Sequence, residues 1–543
     1  MPIITMKDIL LIQPPIEDFY LTVKRTIPYG LCCIASNLIK NGFSVEIFDC
    51  LASKKSKIID WPEEFVFLKE FYSYYDSSPF SLFHNYRHFG YSWEYIIKRS
   101  KEINPYIIGI SSLFTAYSNE ALFTAQKIKI FLPNIKIVMG GHHPTAIPEH
   151  VMECKAVDYV LRGDGEVSMP LLAKALKFNQ DIKTIPGIVY RKKDGSIIIN
   201  KPAYMENLNH YPLPAANLIK HSYYKRNKKN CFVVTASRGC PLNCSYCALG
   251  SSIPSFRLRN VESVFSEIKQ LICNYNAAFI DFEDENLTIN KKWFMSLMNL
   301  IIKNFNNHKL ELRAMNGLFP LSIDEEIIIA MKNAGFKILN LSLGSTCPKQ
   351  LKRFKRPDIT KSIDKILDLC QKYNMESVCY IIAGALHQKP VDSINDLLYL
   401  AQRKTLVGVS VFYPAPLSLD YQIAKKNNLL PEKYSLMRAS TIPFNHLTSR
   451  LDSITILRLN RILNFMKYLV KIKEKIPEPE PFSYNFIFNE LNRIETGKIL
   501  LKWFLFDGKI RGISESGKIF EHNINNNLSD IFINRISNIK ILM

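Results

Sequence analysis

Cys240, Cys244 and Cys247 stand in one short run, SRGCPLNCSYC, a spacing that is improbable as an accident among 12 cysteines in 543 residues. Thiolates so placed can each take one iron of a four-iron cluster and leave the fourth iron open to an outside ligand. A structural zinc ion would want four closed ligands, with a second Cys or His pair nearby, and none follows this run. Buried packing cysteines are the remaining reading. The run follows the apolar stretch CFVVTA, so the thiols stand past the C-terminal end of a strand, where parallel barrels keep their chemistry.

The elements that must position these thiols alternate along the chain. CFVVTASRG, AAFIDFED, LELRAMN, KILNLSLG, VCYIIAG and VGVSVFYPAP are strand candidates separated by helical stretches, which predicts a partial (β/α)6 barrel over 230–425. A separate alternation precedes it. DILLIQ, SVEIFD, YIIGIS, IKIVMGG and VDYVLRG are near-continuous apolar runs between helix candidates, the pattern of an α/β, doubly wound parallel sheet covered on both faces, over 1–185. An aromatic-rich stretch at 51–102 has no clean period and is expected to be an insertion packing over one edge of that sheet. A short hairpin signal around KKDG, a Pro-rich piece and a basic piece make 186–229 the expected linker, and 426–543 an α-rich C-terminal extension.

Composition narrows the classes. Lys and Arg number 70 against 49 Asp and Glu, a formal charge of +21, without any long basic block, so a Lys- and Asn-rich bias explains the charge better than a nucleic-acid partner. No apolar run approaches the ~20 residues of a membrane helix, and the N-terminus lacks a signal-peptide pattern. The cysteine density is too low for a disulfide scaffold, so a reducing cytoplasm is the expected compartment.

With its CxxxCxxC run placed after the first barrel strand, the second alternation resembles the radical S-adenosylmethionine (SAM) superfamily. The resemblance implies a 4Fe-4S cluster on Cys240, Cys244 and Cys247, with SAM on the open iron, cleaved by one electron to methionine and a 5′-deoxyadenosyl radical. Tyr246 matches the aromatic position beside the adenine. Within FEDENLT, Glu283 and Asp284 are candidates to receive the SAM ammonium by charge-assisted hydrogen bonds, with helix capping as the plain alternative. LSLGSTCPKQLKRFKR resembles the segment that meets the ribose, but Thr346 stands where many relatives carry Glu, so Ser342 or a nearby backbone group is the candidate contact. Gly384, in IIAGALHQ, keeps a small residue where a cofactor would approach the backbone.

The first domain resembles the cobalamin-binding domain fused ahead of one large radical SAM subgroup, through ILLIQPP, IGISSLFTAYSNEA, GGHHPT and YVLRGDGE in that order. Gly140 and Gly141 follow a strand at the sheet edge where open sheets bind ligands, and would let a bulky ligand tail near the main chain. Ser111, Leu113 and Thr115 match the segment lining the nucleotide tail, and Gly163, Gly165 and Glu166 fall on the next such turn. Where cobalamin domains that supply a cobalt-binding histidine carry Asp-x-His-x-x-Gly, this chain reads IQPPIEDFY, which implies cobalamin bound without a histidine from that loop. His142 and His143 are read as loop residues near the tail.

These features imply a cobalamin-dependent radical SAM enzyme, first of all a methyltransferase acting on an unactivated carbon or phosphorus. The alternatives are a radical SAM cyclase or ring-contraction enzyme without methyl transfer, and an RNA methylthiotransferase. The last would want three further N-terminal cysteines, and Cys32, Cys33 and Cys50 lack the spacing. The expected partners are a small-molecule or peptide substrate and an electron donor such as flavodoxin or ferredoxin.

Overall fold

The computed structural model describes residues 6–19, 26–72, 75–249, 256–305, 309–483 and 491–543. In the strand Ile9–Gln13, Ile9 and Leu11 enter one buried cluster while Leu10 and Ile12 enter another, because successive side chains leave opposite faces of a sheet. Both clusters are apolar, so the strand is covered twice. Tyr29–Lys40 and Gly165–Lys177 cover the first face; Trp93–Ile103, Ser118–Phe131 and Pro148–Glu153 cover the second. Five parallel strands form the doubly wound centre, in the order Tyr159–Leu161, Lys136–Gly140, Ile107–Ser111, Ile9–Gln13, Val45–Asp49. The KKDG hairpin, Ile188–Arg191 and Ile197–Ile199, extends this sheet antiparallel at its Tyr159–Leu161 edge. Part of the expected linker is therefore stitched into the first sheet, since antiparallel pairing with Tyr159–Leu161 takes edge backbone groups of both strands out of water.

Six parallel strands make the partial barrel. Lys229–Val234, Ala277–Phe282 and Glu311–Ala314 form one arc, and Ile338–Gly344, Glu376–Ala383 and Leu406–Val411 the other. Single bridges, Leu312 to Phe336 and Leu318 to Leu341, join the arcs. The free edge of the last strand is managed by a side chain: Asn464 accepts from the Val407 N–H at 3.0 Å and donates to its carbonyl at 2.8 Å. Asn464 lies on the long helix Arg450–Lys471, which begins with a capping box between Ser449 and Asp452 and adds Leu459, Ile462, Leu463 and Met466 to the barrel core. Among the described residues no helix is long and apolar enough to cross a membrane.

The end of the aromatic insertion, the helix Trp93–Ile103, packs on the first sheet, while its earlier rings pack elsewhere than their sequence suggested. Phe65, Leu68, Phe71, Tyr72 and Tyr86 cluster with Val411 of the last barrel strand and with Leu436, Ile442 and Ile454 of the C-terminal extension. Tyr72 donates to the Ser440 carbonyl at 2.9 Å, and the buried Asp76 takes His522 at 2.9 Å and the Ile513 N–H at 3.1 Å. Rings without a period carry no direction, so only the meeting of distant surfaces sets their partner. Arg438 completes this junction by donating to the carbonyls of Glu17 and Ala116 and pairing with the buried Asp18.

Glu120 lies at the same junction, buried, with one carboxylate oxygen accepting from the Glu17 N–H and the other unpartnered among the described residues. Burial pushes its carboxyl up to about 7, against the opposing pull of Arg438. A raised carboxyl pKa favours the protonated form in the fold, so this stabilisation is present below pH 4.5 and lost as pH rises through 7. Glu120→Gln removes that loss: relative to the parent protein it should gain about 2 kcal/mol between pH 5 and pH 8.5 in denaturant titrations. An unchanged difference across that range would refute the burial of a titrating carboxyl.

Candidate active site

The first barrel strand ends at Val234, and the chain turns at once under the control of Asp284. Its carboxylate accepts from the Ala236 N–H at 3.0 Å and from the Ser237 hydroxyl at 2.5 Å, bracing the start of the cysteine loop. Burial pushes Asp284 up to about 6. This residue is thus consumed inside the barrel. Its neighbour Glu283 is half-buried, with its N–H on the Val234 carbonyl at 3.1 Å. Glu285, which sequence reasoning passed over, is the acid whose charge acts on Cys240 and Cys247. Burial, then the charges of Asp284 and Glu283, raise its carboxyl to about 7, and it has no hydrogen-bond partner among the described residues. Its signal was its place in FEDENLT, one position beyond the two acids singled out.

Across the loop, the Ser245 N–H donates to the Phe354 carbonyl at 3.1 Å and the Ser245 carbonyl accepts from the Asp420 N–H at 2.9 Å. Tyr246 packs edge-on against Phe354, with ring centroids 5.0 Å apart, and its hydroxyl accepts from Arg356 at 2.8 Å. Arg356 also donates to the Ser342 hydroxyl at 3.2 Å and carbonyl at 2.8 Å, and its Nε is buried without a partner among the described residues. The structure therefore gathers Tyr246, Ser342, Arg356, Glu285 and the three cysteines at one mouth. Arg356 was hidden in the basic run KRFKR, where sequence offers no means to tell a buried arginine from solvated ones.

Burial pushes the Cys247 thiol up to about 11 and also raises Cys240, so neither is a free thiolate. Deprotonation would have to accompany coordination, in which the positive charge of iron stabilises the thiolates. Among the described residues no three His, Cys, Asp or Glu converge as ligands of one ion. A cluster takes one thiolate per iron, so its cysteines need not converge on a point, and three thiols on one partly buried loop fit that demand. Cys32, Cys33 and Cys50, by contrast, are packed in the first domain, where burial carries Cys32 up to about 12 and also raises the other two.

Thr346 is turned away from the mouth: its N–H and hydroxyl both bind Asp396 at 2.6 Å, and Ser345 takes the other oxygen at 2.9 Å. Gly384 adopts φ 74°, and its open side meets Ser453 and Thr448 of the extension rather than the mouth.

At the edge of the first sheet, Ser111 ends its strand half-buried beside Gly140. The Ser112 N–H binds the Gly140 carbonyl at 2.8 Å, and Leu113 and Phe114 follow, 40% and 49% exposed. Thr115 contacts His143 at 3.3 Å, and His143 in turn meets His150 at 3.0 Å, so this fully buried imidazole is held at both nitrogens. His142 is adjacent on the same short helix. Gly141 has φ 122°, and a Cβ there would strike the Ser112 carbonyl, so the sharp turn itself demands glycine. The Ser112 hydroxyl is buried, without a partner among the described residues, beside the exposed apolar pair, which fits an amphipathic ligand covering this edge.

The following turn belongs to the junction between domains. A Cβ at Gly163 would enter the Ala203 carbonyl, and one at Gly165 would enter Ile34. Glu166 is buried and paired with Arg238 at 2.5 Å, while Asp164 takes Arg238 and Arg257 at 2.8 Å each. Burial alone would raise Asp164, yet Arg238, the Met205 N–H and Arg257 hold it below the usual carboxylate range.

Two stretches of the chain match known domains: residues 83–173 the B12 binding domain and residues 234–398 the radical SAM superfamily. The chain is similar to an uncharacterized methyltransferase of Pyrococcus horikoshii, at 28% identity over 436 residues, covering 78% of this chain and 84% of that one. It is similar over a shorter stretch to the anaerobic magnesium-protoporphyrin IX monomethyl ester cyclase of Synechocystis, 28% identical over 273 residues, 50% of this chain and 54% of the cyclase. Its fold is shared with the solved structure of the radical S-adenosylmethionine methyltransferase TsrM from Kitasatospora setae, which contains cobalamin and a 4Fe-4S cluster. That likeness has a TM-score of 0.61 at 17% identity and covers 79% of this chain and 76% of that one.

Proposed function

We propose that this chain, a radical SAM enzyme with a B12-binding domain, is a cobalamin-dependent methyltransferase. One observation carries the reading: Arg238, two residues before Cys240, is ion-paired to Asp164 and Glu166 on the turn after the last parallel strand of the first sheet. Radical formation and methyl donation must act on one substrate position, which requires the two domains to meet in near-contact geometry. When bound, the cluster with SAM supplies a 5′-deoxyadenosyl radical and cobalamin supplies a methyl group.

In this reading Cys240, Cys244 and Cys247 hold the cluster. Arg356, pinned by Tyr246 and Ser342, offers a fixed cation and a free Nε to the SAM carboxylate. Glu285 offers the opposite charge, and an arriving ammonium would favour its ionised form. Ser111, Leu113 and Thr115, with the turn at Gly140 and Gly141, form the edge for cobalamin. The reaction draws its electron from a donor of the flavodoxin or ferredoxin class. All twelve cysteines are free, which suits a reducing cytoplasm. The substrate is a small molecule or a peptide.

The test uses the holoprotein with methyl-labelled SAM and a reductant. Label recovered in the cobalamin fraction, with S-adenosylhomocysteine and 5′-deoxyadenosine both formed, is the expected result. The likeness to the cyclase favours a second reading, cyclisation or ring contraction without methyl transfer. In that case deoxyadenosine forms while label stays out of cobalamin and S-adenosylhomocysteine is absent.

A further inference from the structure

The cysteine loop is closed at its base by a ladder of two residue pairs, Ser237 with Leu258 and Arg238 with Arg257. Two arginines directly opposite each other on paired strands repel, and such a ladder is too short to survive repulsion by its own hydrogen bonds. What neutralises them comes from the other domain. One Asp164 oxygen accepts from Arg238 at 2.8 Å and the other from Arg257 at 2.8 Å, so a single carboxylate bridges the pair. Glu166 adds a second acceptor to Arg238 at 2.5 Å, and Arg257 also donates to the Met205 carbonyl at 2.7 Å. Asp164 is itself aimed by backbone: its N–H donates to the Ala203 carbonyl at 2.7 Å, and its side chain accepts the Met205 N–H at 2.8 Å. All four ionic side chains are largely withdrawn from water, with 26% exposure at most for Arg238. In such surroundings leaving either arginine uncompensated is strongly unfavourable.

We propose that Asp164, Arg238 and Arg257 are positioning residues: the Asp164 carboxylate clamps the base of the cysteine loop shut and, by the same contacts, sets the distance between that loop and the cobalamin-binding edge. The clamp rests on the proposed function for its purpose, because only an enzyme using both cofactors on one position needs that distance held. It also accounts for Glu166, which the sequence placed among cofactor ligands and which the fold spends on Arg238.

The experiment uses the full chain loaded with cluster and cobalamin. Two quantities are read: the rate at which a ferrous chelator removes iron, and the spin–spin coupling between the reduced cluster and cob(II)alamin by pulsed electron paramagnetic resonance. Asp164→Asn should speed iron loss about tenfold and broaden the coupling, with cobalamin still bound. If repulsion between the arginines is the cause, adding Arg257→Gln to Asp164→Asn should bring both quantities at least halfway back. A residue with a merely structural role would make the double variant worse than the single. Should Asp164→Asn fail to fold, Glu166→Gln, which strips one of Arg238's two acid partners, reads the same effect at about threefold. Unchanged iron loss and coupling in the variants, or a double variant worse than Asp164→Asn, overturn the clamp. Parent protein that binds no iron or no cobalamin instead overturns the proposed function and takes the clamp with it.

Discussion

Replacing Cys240, Cys244 and Cys247 together by alanine should take the anaerobically purified protein from about four irons and four sulfides per chain to background, and from brown to colourless. The effect is all-or-none because all three cluster ligands would be removed from one short loop. Among the described residues no three His, Cys, Asp or Glu converge to replace them. The fold should persist, since the three thiols make few of its contacts and the barrel core lies beneath them. Controls are built in. Cys273 is exposed on a helix and Cys370 is buried under the barrel, so alanine at either should leave iron content unchanged. Full iron in the triple variant would refute the cluster assignment, and loss of iron in the Cys370 variant alone would point to a general folding defect.

The second large effect belongs to cobalamin. Leu113 and Phe114 are exposed apolar side chains at the sheet edge, whereas Gly141 is needed by its own turn. Aspartate at Leu113 and Phe114 should therefore weaken cobalamin retention more than tenfold, because a ligand covering that edge would have to bury unpaired charge. Stability of the unloaded protein should move by about 0.5 kcal/mol or less, as for other exposed positions. In the parent protein, bound cobalamin should show no nitrogen ligand from the protein. The first strand ends at Gln13, whose amide is spent on the Thr26 carbonyl and Asp49, and His143 is held between Thr115 and His150. Full retention by the double aspartate variant would move the cobalamin site away from this edge, and a spectrum with clear imidazole ligation would refute the ligand claim alone.

Sequence by itself determined the features that are local in the chain. The proposed cluster ligands Cys240, Cys244 and Cys247 were legible because cluster ligation needs three thiols within one loop. Both strand-helix alternations were legible because a strand covered on both faces must be apolar at nearly every position, as ILLIQ and IIGIS are. The domain order followed from the same runs. Tertiary structure decided everything that rests on where side chains point and on pairs far apart. FEDENLT offers three consecutive acids; Asp284 is taken by the Ala236 N–H and the Ser237 hydroxyl just past the first barrel strand, and Glu285 is left toward the cysteines. Thr346 faces Asp396, 50 residues on, and Tyr246 meets Arg356 at a separation of 110. The aromatic insertion reaches Ser440 across 368 residues, and no period within it could announce that partner. Glu166 looked like a ligand because its turn has the ligand-binding pattern, but its carboxylate is drawn to the arginine that docking brings within 2.5 Å. Charge pairing of this kind depends on distance and on the loss of water around it, and neither exists until the domains have packed.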